Sequence, residues 1–268
     1  MLERDHDRFR VEVDEESVYW LVMEQRDEPA NVMTPPMLNA MLDVLNDIED
    51  DASCLVLAGE GNFSAGADLR KLRDVPPEMR PAIIESFSGA SNRVIKRLRS
   101  FPAPVVAAVS GKAAGGGVGL ALASDFIFMH EDAVLDPAYL QLGLSPDAAT
   151  TFYLTLTVGP YQAREILFGP EPLSATSAKD LGLATRVFDG TETEFFEQIS
   201  EAVQQFAHGP TATYKRTKLL TDEVFDELVT HLERERDTIR RISDTETFSE
   251  GLDAFFEGRE PEWRNGST

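Results

Sequence analysis

The sequence predicts an α/β protein, because short apolar runs typical of strands alternate with longer segments whose apolar residues recur at helical spacing. Residues 53–58 and 104–109 are the clearest strands, since both are rich in apolar side chains and both are bounded by turn residues. The chain has 268 residues, 42% of them hydrophobic, and can therefore bury a substantial core.

The chain is predicted to open with a β-hairpin followed by a helix. Residues 9–13 and 18–23 carry clustered or alternating apolar side chains on either side of a short acidic segment. Thr34 suits the N-cap of a helix, and Pro35 suits its first position. Apolar residues recur at helical spacing over residues 37–48, which predicts an amphipathic helix.

A second helix is predicted over residues 81–100, between the two clear strands, and a helix is also predicted after the second of them. Two further short strands are predicted at residues 126–129 and 184–188, where aromatic and β-branched residues occur. Strand, loop and helix therefore recur in that order.

The last part of the chain is predicted to be helical. From residue 192 onward the pattern is almost wholly that of helices, including the charged segment 221–242. A turn at residues 208–210 predicts a boundary between a core of residues 1–208 and a C-terminal helical region of residues 209–268.

The composition is strongly acidic. The 47 Asp and Glu residues outnumber the 25 Lys and Arg residues, which gives a formal net charge of −22. Such a surface repels nucleic acid and anionic membranes, so neither is expected as a partner. Because the acidic residues are spread along the chain, we favour adaptation to high salt over ordinary acidity, and we expect stability to fall in dilute buffer.

Cys54 is the only cysteine, so no internal disulfide is possible, and its place in a predicted strand indicates a buried thiol. The N-terminal segment lacks an apolar signal core, and no apolar run reaches the length that spans a membrane. We therefore expect a soluble, cytoplasmic protein. No metal site is expected from the four histidines, which lie far apart in the sequence: His6, His130, His208 and His231.

Two glycine-containing loops follow the two clear strands and are the best candidates for a functional site. The 64–69 loop has the sequence SAGADL, and the 115–119 loop has the sequence GGGVG. Glycine lets the backbone approach a ligand closely, and the apolar run after Gly116 predicts a helix whose N-terminal end favours negative charge. Two backbone N–H groups there would form an oxyanion hole for an enolate. The alternative is that both loops are closely packed turns.

These loops also carry a family resemblance that other segments extend over nearly the whole chain. FSAGADL at residues 63–69 and AAVSGKAAGGG at residues 107–117 resemble segments of the enoyl-CoA hydratase/isomerase (crotonase) superfamily. Four further segments fall in the order found in that family: 124–126, 142–147, 178–184 and 254–261.

The resemblance implies a crotonase (ClpP-like) spiral of ββα units with a C-terminal helical oligomerisation region, although no internal sequence repeat supports it independently. It implies an acyl-CoA substrate, no separate cofactor, and a homotrimer or dimer of trimers in which C-terminal helices sometimes cover a neighbour's site. It assigns the backbone N–H groups of Ala67 and Gly116 to the oxyanion hole. Four residues match the family's coenzyme A-binding segment: Ala65, Gly66, Asp68 and Leu69.

The family's hydratases use two glutamates, and this chain has neither. One position lies three residues beyond the oxyanion glycine, where this chain has Gly119, and the other aligns with Tyr139. Asp147 instead matches the catalytic aspartate of the ring-1,2-epoxyphenylacetyl-CoA isomerase type, a position also acidic in dienoyl-CoA isomerases and 4-chlorobenzoyl-CoA dehalogenase. The alternative role of Asp147 is that of an N-cap for the following helix.

A single carboxylate beside an oxyanion hole favours Δ3-Δ2 enoyl-CoA isomerisation, in which Asp147 moves a proton along the acyl chain. An apolar pocket would raise the pKa of Asp147 toward neutrality. The candidate walls of that pocket are Tyr139, Leu140, Leu142, Phe87 and Phe152. Two alternatives remain open: a hydratase with relocated catalytic groups and a scaffolding protein without activity. Dehalogenation is disfavoured, because the histidine that the resembled dehalogenase needs is replaced by Asn92.

The binding of the coenzyme A phosphates is expected to differ from that in the resembled family. The basic residue that the family places ahead of an Asn-Ala pair is missing, because residues 27–32 have the sequence DEPANV. Arg26, Arg70 or Lys71, or a basic residue of a neighbouring subunit, would have to replace it.

Overall fold

The strands of the computed structural model form one large sheet and two small ones, over the residues that the structure describes: 2–6, 8–24, 30–225 and 227–263. The large sheet contains seven strands in these ranges: β1 (Leu2–His6), β2 (Phe9–Val13), β3 (Val18–Met23), β5 (Cys54–Gly59), β7 (Val105–Val109), β9 (Phe126–His130) and β12 (Arg186–Phe188). The small sheets contain the short strands β4 (Val32–Met33), β6 (Gly66–Ala67), β8 (Lys112–Ala114), β10 (Val134–Asp136) and β11 (Leu173–Ser174).

Ten helices accompany these strands in the described part of the chain: α1 (Pro35–Asp47), α2 (Arg70–Arg73), α3 (Arg80–Ser100), α4 (Gly116–Leu122), α5 (Thr150–Phe168), α6 (Ala175–Asp180), α7 (Glu192–Ala207), α8 (Thr211–Thr221), α9 (Leu228–Ile242) and α10 (Glu246–Glu257). The predicted N-cap of α1 is confirmed, since the Thr34 hydroxyl accepts a hydrogen bond of 3.3 Å from Met37 N. No helix among the described residues is apolar over a length that would cross a bilayer.

Antiparallel pairing joins β1, β2 and β3, which confirms the predicted opening hairpin. The later neighbours in the large sheet, β5, β7, β9 and β12, are joined by parallel pairing. Every residue of β5 and of β7 is buried. Burial on both faces of a parallel sheet explains why these two strands are continuous apolar runs in the sequence.

A unit of long strand, short strand and helix occurs three times in succession. β5 is followed by β6 and then by α2 and α3, β7 is followed by β8 and α4, and β9 is followed by β10 and α5. The long strands belong to the large sheet and the short strands to the small ones. This is the expected ββα repetition, and it is present although the three units share no sequence repeat.

The C-terminal helices pack on the rest of the same chain. The continuous helical pattern over residues 221–242 is interrupted, because α8 ends at Thr221 and a 3₁₀ turn at Asp222–Phe225 precedes α9. Asp222 in that turn binds the Arg99 guanidinium, a tertiary contact that helical spacing does not reveal. α9 packs against α3, and α10 packs against the 3₁₀ turn Leu140–Leu142.

Candidate active site

The two glycine-containing loops lie side by side. Ser64 forms a parallel bridge with Ala113, and Ala114 N donates a hydrogen bond of 2.7 Å to Ser64 O. Gly66 has a φ of +81°, and a Cβ atom there would lie 2.8 Å from Ala114 O and 3.5 Å from Gly116 N. Glycine is therefore required at this point both by its backbone conformation and by the close approach of the second loop.

Ala67 and Gly116, the two predicted oxyanion donors, lie at this junction. Ala67 pairs with Met33 in the two-stranded sheet of β4 and β6, and Gly116 is the first residue of α4. The Met33 side chain packs against the second loop: a Cβ atom placed on Gly116 would lie 3.2 Å from Met33 Cε. The structure thus brings together the two segments that the sequence separates by about fifty residues.

Asp147 and Tyr139 form a buried pair next to this junction. The Tyr139 hydroxyl donates a hydrogen bond of 2.8 Å to Asp147 Oδ1, and the two residues are 7% and 3% exposed. A Cβ atom on Gly116 would lie 3.9 Å from Tyr139 Oη, so the phenol connects the carboxyl group with the glycine loop. The alternative role of Asp147 as an N-cap is wrong: Ala149 is the N-cap residue of α5, and the Asp147 side chain makes no cap hydrogen bond to it.

The surroundings of this pair favour its neutral forms. Burial raises the pKa of Asp147 to about 6, the hydrogen bond from Tyr139 opposes that rise, and the negative charge of Glu235 adds to it. Burial and then the charge of Asp147 raise the pKa of Tyr139 well above its usual range. Asp147 can therefore gain and lose a proton near neutrality, whereas Tyr139 remains a hydrogen-bond donor.

Two buried hydroxyl groups border the pair. Ser88 lies near enough to Asp147, and Thr150 near enough to Tyr139, to lower the pKa of each. Neither hydroxyl makes a well-directed hydrogen bond within the described residues, and both side chains are fully buried. A hydroxyl can rotate to meet a substrate or a water molecule, so this edge of the site has unused hydrogen-bonding capacity.

The position at which hydratases carry their first glutamate is closed in this chain. A Cβ atom on Gly119 would lie 2.1 Å from the carbonyl oxygen of Ala148 and 2.7 Å from its Cβ. Ala148 precedes α5 in the turn that also carries Asp147. The turn that carries Asp147 therefore leaves no room for a side chain at residue 119. The absence of a glutamate at residue 119 and the presence of Asp147 in this turn are thus structurally connected.

The predicted pocket walls do not lie together: Phe87 is in the main core, Phe152 packs against that core, and Leu140 is 40% exposed. Tyr139 lies in a separate apolar cluster under the C-terminal helices. Leu69 and Leu142 are half-buried and pack against it. Its buried members are Leu72, Ile84, Tyr139, Leu144, Ile239, Phe248 and Leu252. Tyr139 thus has an apolar body in this cluster and a polar end on Asp147.

The predicted coenzyme A segment begins at the same junction. Ala65 N donates to Asn31 O at 2.9 Å, and Asp68 N donates to Met33 O at 3.1 Å. The Asp68 carboxylate holds the Arg70 guanidinium at 2.7 Å, which lowers the pKa of Asp68. Lys71 is exposed, whereas Arg26, the third candidate for a phosphate contact, lies outside the described residues.

Glu235 in α9 is a buried carboxylate that sequence reasoning missed. It is 5% exposed and accepts hydrogen bonds from Ala149 N at 2.7 Å and Thr151 N at 3.0 Å. A signal was present in the sequence, because Glu235 falls on the apolar stripe of α9, which also contains Leu228, Leu232 and Ile239. A glutamate on the buried face of an amphipathic helix requires specific partners.

A cavity of about 590 Å³ lies elsewhere, between α5, α8 and the edge of the large sheet. It is lined by a cluster of ion-paired side chains: Arg99, Asp125, Lys218 and Asp222. It contains none of the predicted site residues. Among the described residues, no group of three or more His, Cys, Asp or Glu side chains has the arrangement of a metal site.

Comparison with known proteins gives consistent similarities over most of the chain. The profile of the enoyl-CoA hydratase/isomerase family matches residues 14–266. A probable enoyl-CoA hydratase of Bacillus subtilis (strain 168) is 30% identical over 91% of this chain and 94% of its own. The 1,2-epoxyphenylacetyl-CoA isomerase of Escherichia coli (strain K12) is 30% identical over 89% of this chain and 92% of its own.

Other relatives differ in the reaction that their names describe. The 4-chlorobenzoyl coenzyme A dehalogenase-2 of an Arthrobacter species is 33% identical over 69% of this chain and 68% of its own. A crystal structure of an enoyl-CoA hydratase from Mycobacterium avium subsp. paratuberculosis K-10 has a TM-score of 0.85 and 27% identity, and covers 96% of this chain and 99% of its own. These similarities confirm the predicted crotonase fold.

Proposed function

This chain belongs to the enoyl-CoA hydratase/isomerase family, and we propose that it is a Δ3-Δ2 enoyl-CoA isomerase in which Asp147 carries the proton. The observation that supports this most is the buried Tyr139–Asp147 pair beside the glycine loops, with the pKa of Asp147 raised by burial to about 6. Such a carboxyl group is suited to act as a base and then as an acid.

In the first step, the Asp147 carboxylate removes a proton from C2 of a 3-enoyl thioester. The electron pair of that C–H bond moves into the thioester, and the negative charge is carried by its carbonyl oxygen as a dienolate. Ala67 N–H and Gly116 N–H are the proposed donors to this oxygen, and each such donor contributes a factor of about 10² to 10³ in rate.

In the second step, the Asp147 carboxylic acid returns the proton to C4. The double bond then lies between C2 and C3, in conjugation with the thioester, and the carboxylate is regenerated. No atom is gained or lost overall, so the reaction needs neither a water molecule nor a cofactor. The Tyr139 hydroxyl donates a hydrogen bond to Oδ1 of Asp147. The other carboxylate oxygen, Oδ2, is then the one that reaches the substrate.

Hydration is the second candidate, and the two buried hydroxyl groups favour it. Ser88 and Thr150 lack well-directed partners among the described residues and border the Asp147–Tyr139 pair, where they would hold a water molecule. Asp147 would then activate that water in place of the absent glutamates. Isomerisation remains the first proposal, because it requires only one carboxyl group to exchange a proton with substrate.

Dehalogenation has less support. Asn92 takes the place of the histidine of the resembled dehalogenase, and its amide donates a hydrogen bond of 3.3 Å to Leu232 O in α9. A scaffolding role without chemistry also has little support, because burying the Asp147 carboxyl group costs stability that an inert protein would have no reason to retain.

We also propose that the protein assembles as a homotrimer or a dimer of trimers, with the acyl-CoA as its ligand and no further cofactor. Large apolar side chains are exposed on α5 and around α8 and α9, which supports a self-association surface. They are Leu156, Tyr161, Phe168, Leu219, Leu220, Val224 and Val229.

The decisive experiment compares double-bond migration in 3-enoyl-CoA with water addition to crotonyl-CoA, in molar potassium chloride. We expect migration to be the faster reaction and Asp147→Asn to slow it by about 10² to 10⁴. Asp43→Asn, on the exposed face of α1, is the matched control and should leave the rate unchanged. Migration at the wild-type rate in Asp147→Asn would overturn the mechanism, and faster water addition would favour the hydratase.

A further inference from the structure

The turn that carries Asp147 has an unusual backbone. Ala148 and Ala149 have φ values of 56° and 59°, in the left-handed region that residues with a Cβ rarely adopt. Two consecutive left-handed residues reverse the chain between Asp147 and the start of α5. Such a conformation persists only where the surroundings hold it, and it occurs often at functional sites.

Glu235 of α9 holds this turn through hydrogen bonds. Its Oε2 accepts a hydrogen bond of 2.7 Å from Ala149 N, and its Oε1 accepts one of 3.0 Å from Thr151 N. Oε1 also accepts a short hydrogen bond from the Thr151 hydroxyl. These contacts provide partners for backbone N–H groups at the start of α5, where no side chain of α5 or its preceding turn acts as a cap.

We propose that Glu235 is a positioning residue for the reaction: it fixes the left-handed turn at Ala148 and Ala149 and thereby holds the Asp147 carboxyl group against Tyr139. The inference rests on the proposed function, in which Asp147 exchanges the proton. It makes α9 part of the active site of its own chain, although Glu235 is 86 residues from Ala149 in sequence.

Glu235 is not placed to exchange protons with a substrate itself. Both of its oxygens accept hydrogen bonds from donors at the start of α5, so neither is free to meet a substrate. Its charge acts on the ionisable groups around it. Those groups are Asp147, Tyr139 and Tyr153. His231 also faces Glu235, with its Nε2 3.5 Å from Glu235 Oε1.

Replacing Glu235 is expected to have two separable effects. Glu235→Gln removes the negative charge that raises the pKa of Asp147, so the acidic limb of the kcat/KM profile should move to lower pH by about half a unit to one unit. It also sets an amide NH₂ against a backbone N–H, which loosens the turn and should lower kcat by about 10-fold to 100-fold with little change in KM. Glu233→Gln, on the exposed side of α9, is the matched control.

A second variant separates positioning from folding. Glycine adopts a φ near +59° without strain, so Ala149→Gly in the Glu235→Gln background should restore the melting temperature. The acidic limb should stay displaced, because the charge is still missing. Wild-type kcat and an unmoved acidic limb in a folded Glu235→Gln protein would overturn the inference.

Measuring the activity of Asp147→Asn in parallel separates the test of the Glu235 role from the test of the proposed function. Full activity in Asp147→Asn removes the proposed function, and with it the basis of the inference. If Asp147→Asn is inactive but Glu235→Gln behaves like Glu233→Gln, the positioning role of Glu235 is contradicted and the proposed function is not.

Discussion

Two carboxylates of the protein, the half-buried Asp125 and the buried Asp147, differ in the kind of partner that surrounds them. Beside the large cavity, Asp125 accepts hydrogen bonds from Lys218 at 2.7 Å, Arg99 at 3.3 Å and Val105 N at 2.8 Å. Beside the glycine loops, Asp147 accepts from the neutral phenol of Tyr139, and the charge that acts on it is a second carboxylate, Glu235.

This difference in partners distinguishes the structural cluster around Asp125 from the reactive cluster around Asp147. Cations and N–H donors that surround a carboxylate stabilise its charge and tie together the segments that carry them. A neutral donor and a neighbouring negative charge leave Asp147 poised between its two forms. A charge removed from the first cluster should therefore cost stability, whereas removal of the Asp147 charge from the second should increase it.

The largest effect on stability is expected in the first cluster, from Lys218→Met. Lys218 is 11% exposed in its side chain, and it also donates to Leu98 O at 3.1 Å. Its loss leaves Asp125 with one cation instead of two and should lower the free energy of unfolding by about 3–4 kcal/mol. Urea titration measures this, with Lys215→Met, exposed on the same helix, as the control. Equal stability of the two variants would show that the cluster contributes nothing.

The opposite sign is expected for Asp147→Asn in the second cluster. Because the pKa of Asp147 rises from 3.8 to about 6 on folding, the folded state binds the proton more tightly, and stability is lost as pH rises from about 4 to about 6. Asparagine cannot ionise and still accepts from Tyr139. Asp147→Asn should therefore raise the free energy of unfolding by about 2–3 kcal/mol at pH 7.5 and by nearly nothing at pH 4.

Urea titrations at these two pH values check this, with Asp43→Asn as the control that should change neither. A loss of stability in Asp147→Asn at pH 7.5 would mean that Asp147 resembles Asp125 and is a structural carboxylate.

The fold was largely predictable from local patterns. The hairpin, the Thr34 cap and the two buried strands follow from side-chain periodicity, and the structure has them where the sequence predicts them. The ββα repetition was predicted only through the family resemblance, because its three units share topology without sharing side chains. The interruption after Thr221 was not predicted, since the contact of Asp222 with Arg99 is made across the chain.

The site was predictable only in part. The sequence indicated the two glycine loops and Asp147, because each belongs to a short motif. It did not indicate that Tyr139 and Asp147 share a hydrogen bond, nor that Ala148 fills the space of a side chain at residue 119. Both depend on left-handed alanines before α5, and alanine carries no sequence signal for that conformation.

Tyr139→Phe should have the smallest of these effects. It tests whether Asp147, unlike Asp125, is held by a neutral hydrogen-bond donor. The hydroxyl of Tyr139 stabilises the ionised form of Asp147, so its removal should raise the pKa of Asp147 further and move the acidic limb of kcat/KM to higher pH by about one unit. This direction is opposite to that expected for Glu235→Gln. Tyr161→Phe, whose ring is 85% exposed, is the control. A limb that moved to lower pH would mean that Tyr139 does not donate to the carboxylate during turnover, and that Asp147 is held by other partners.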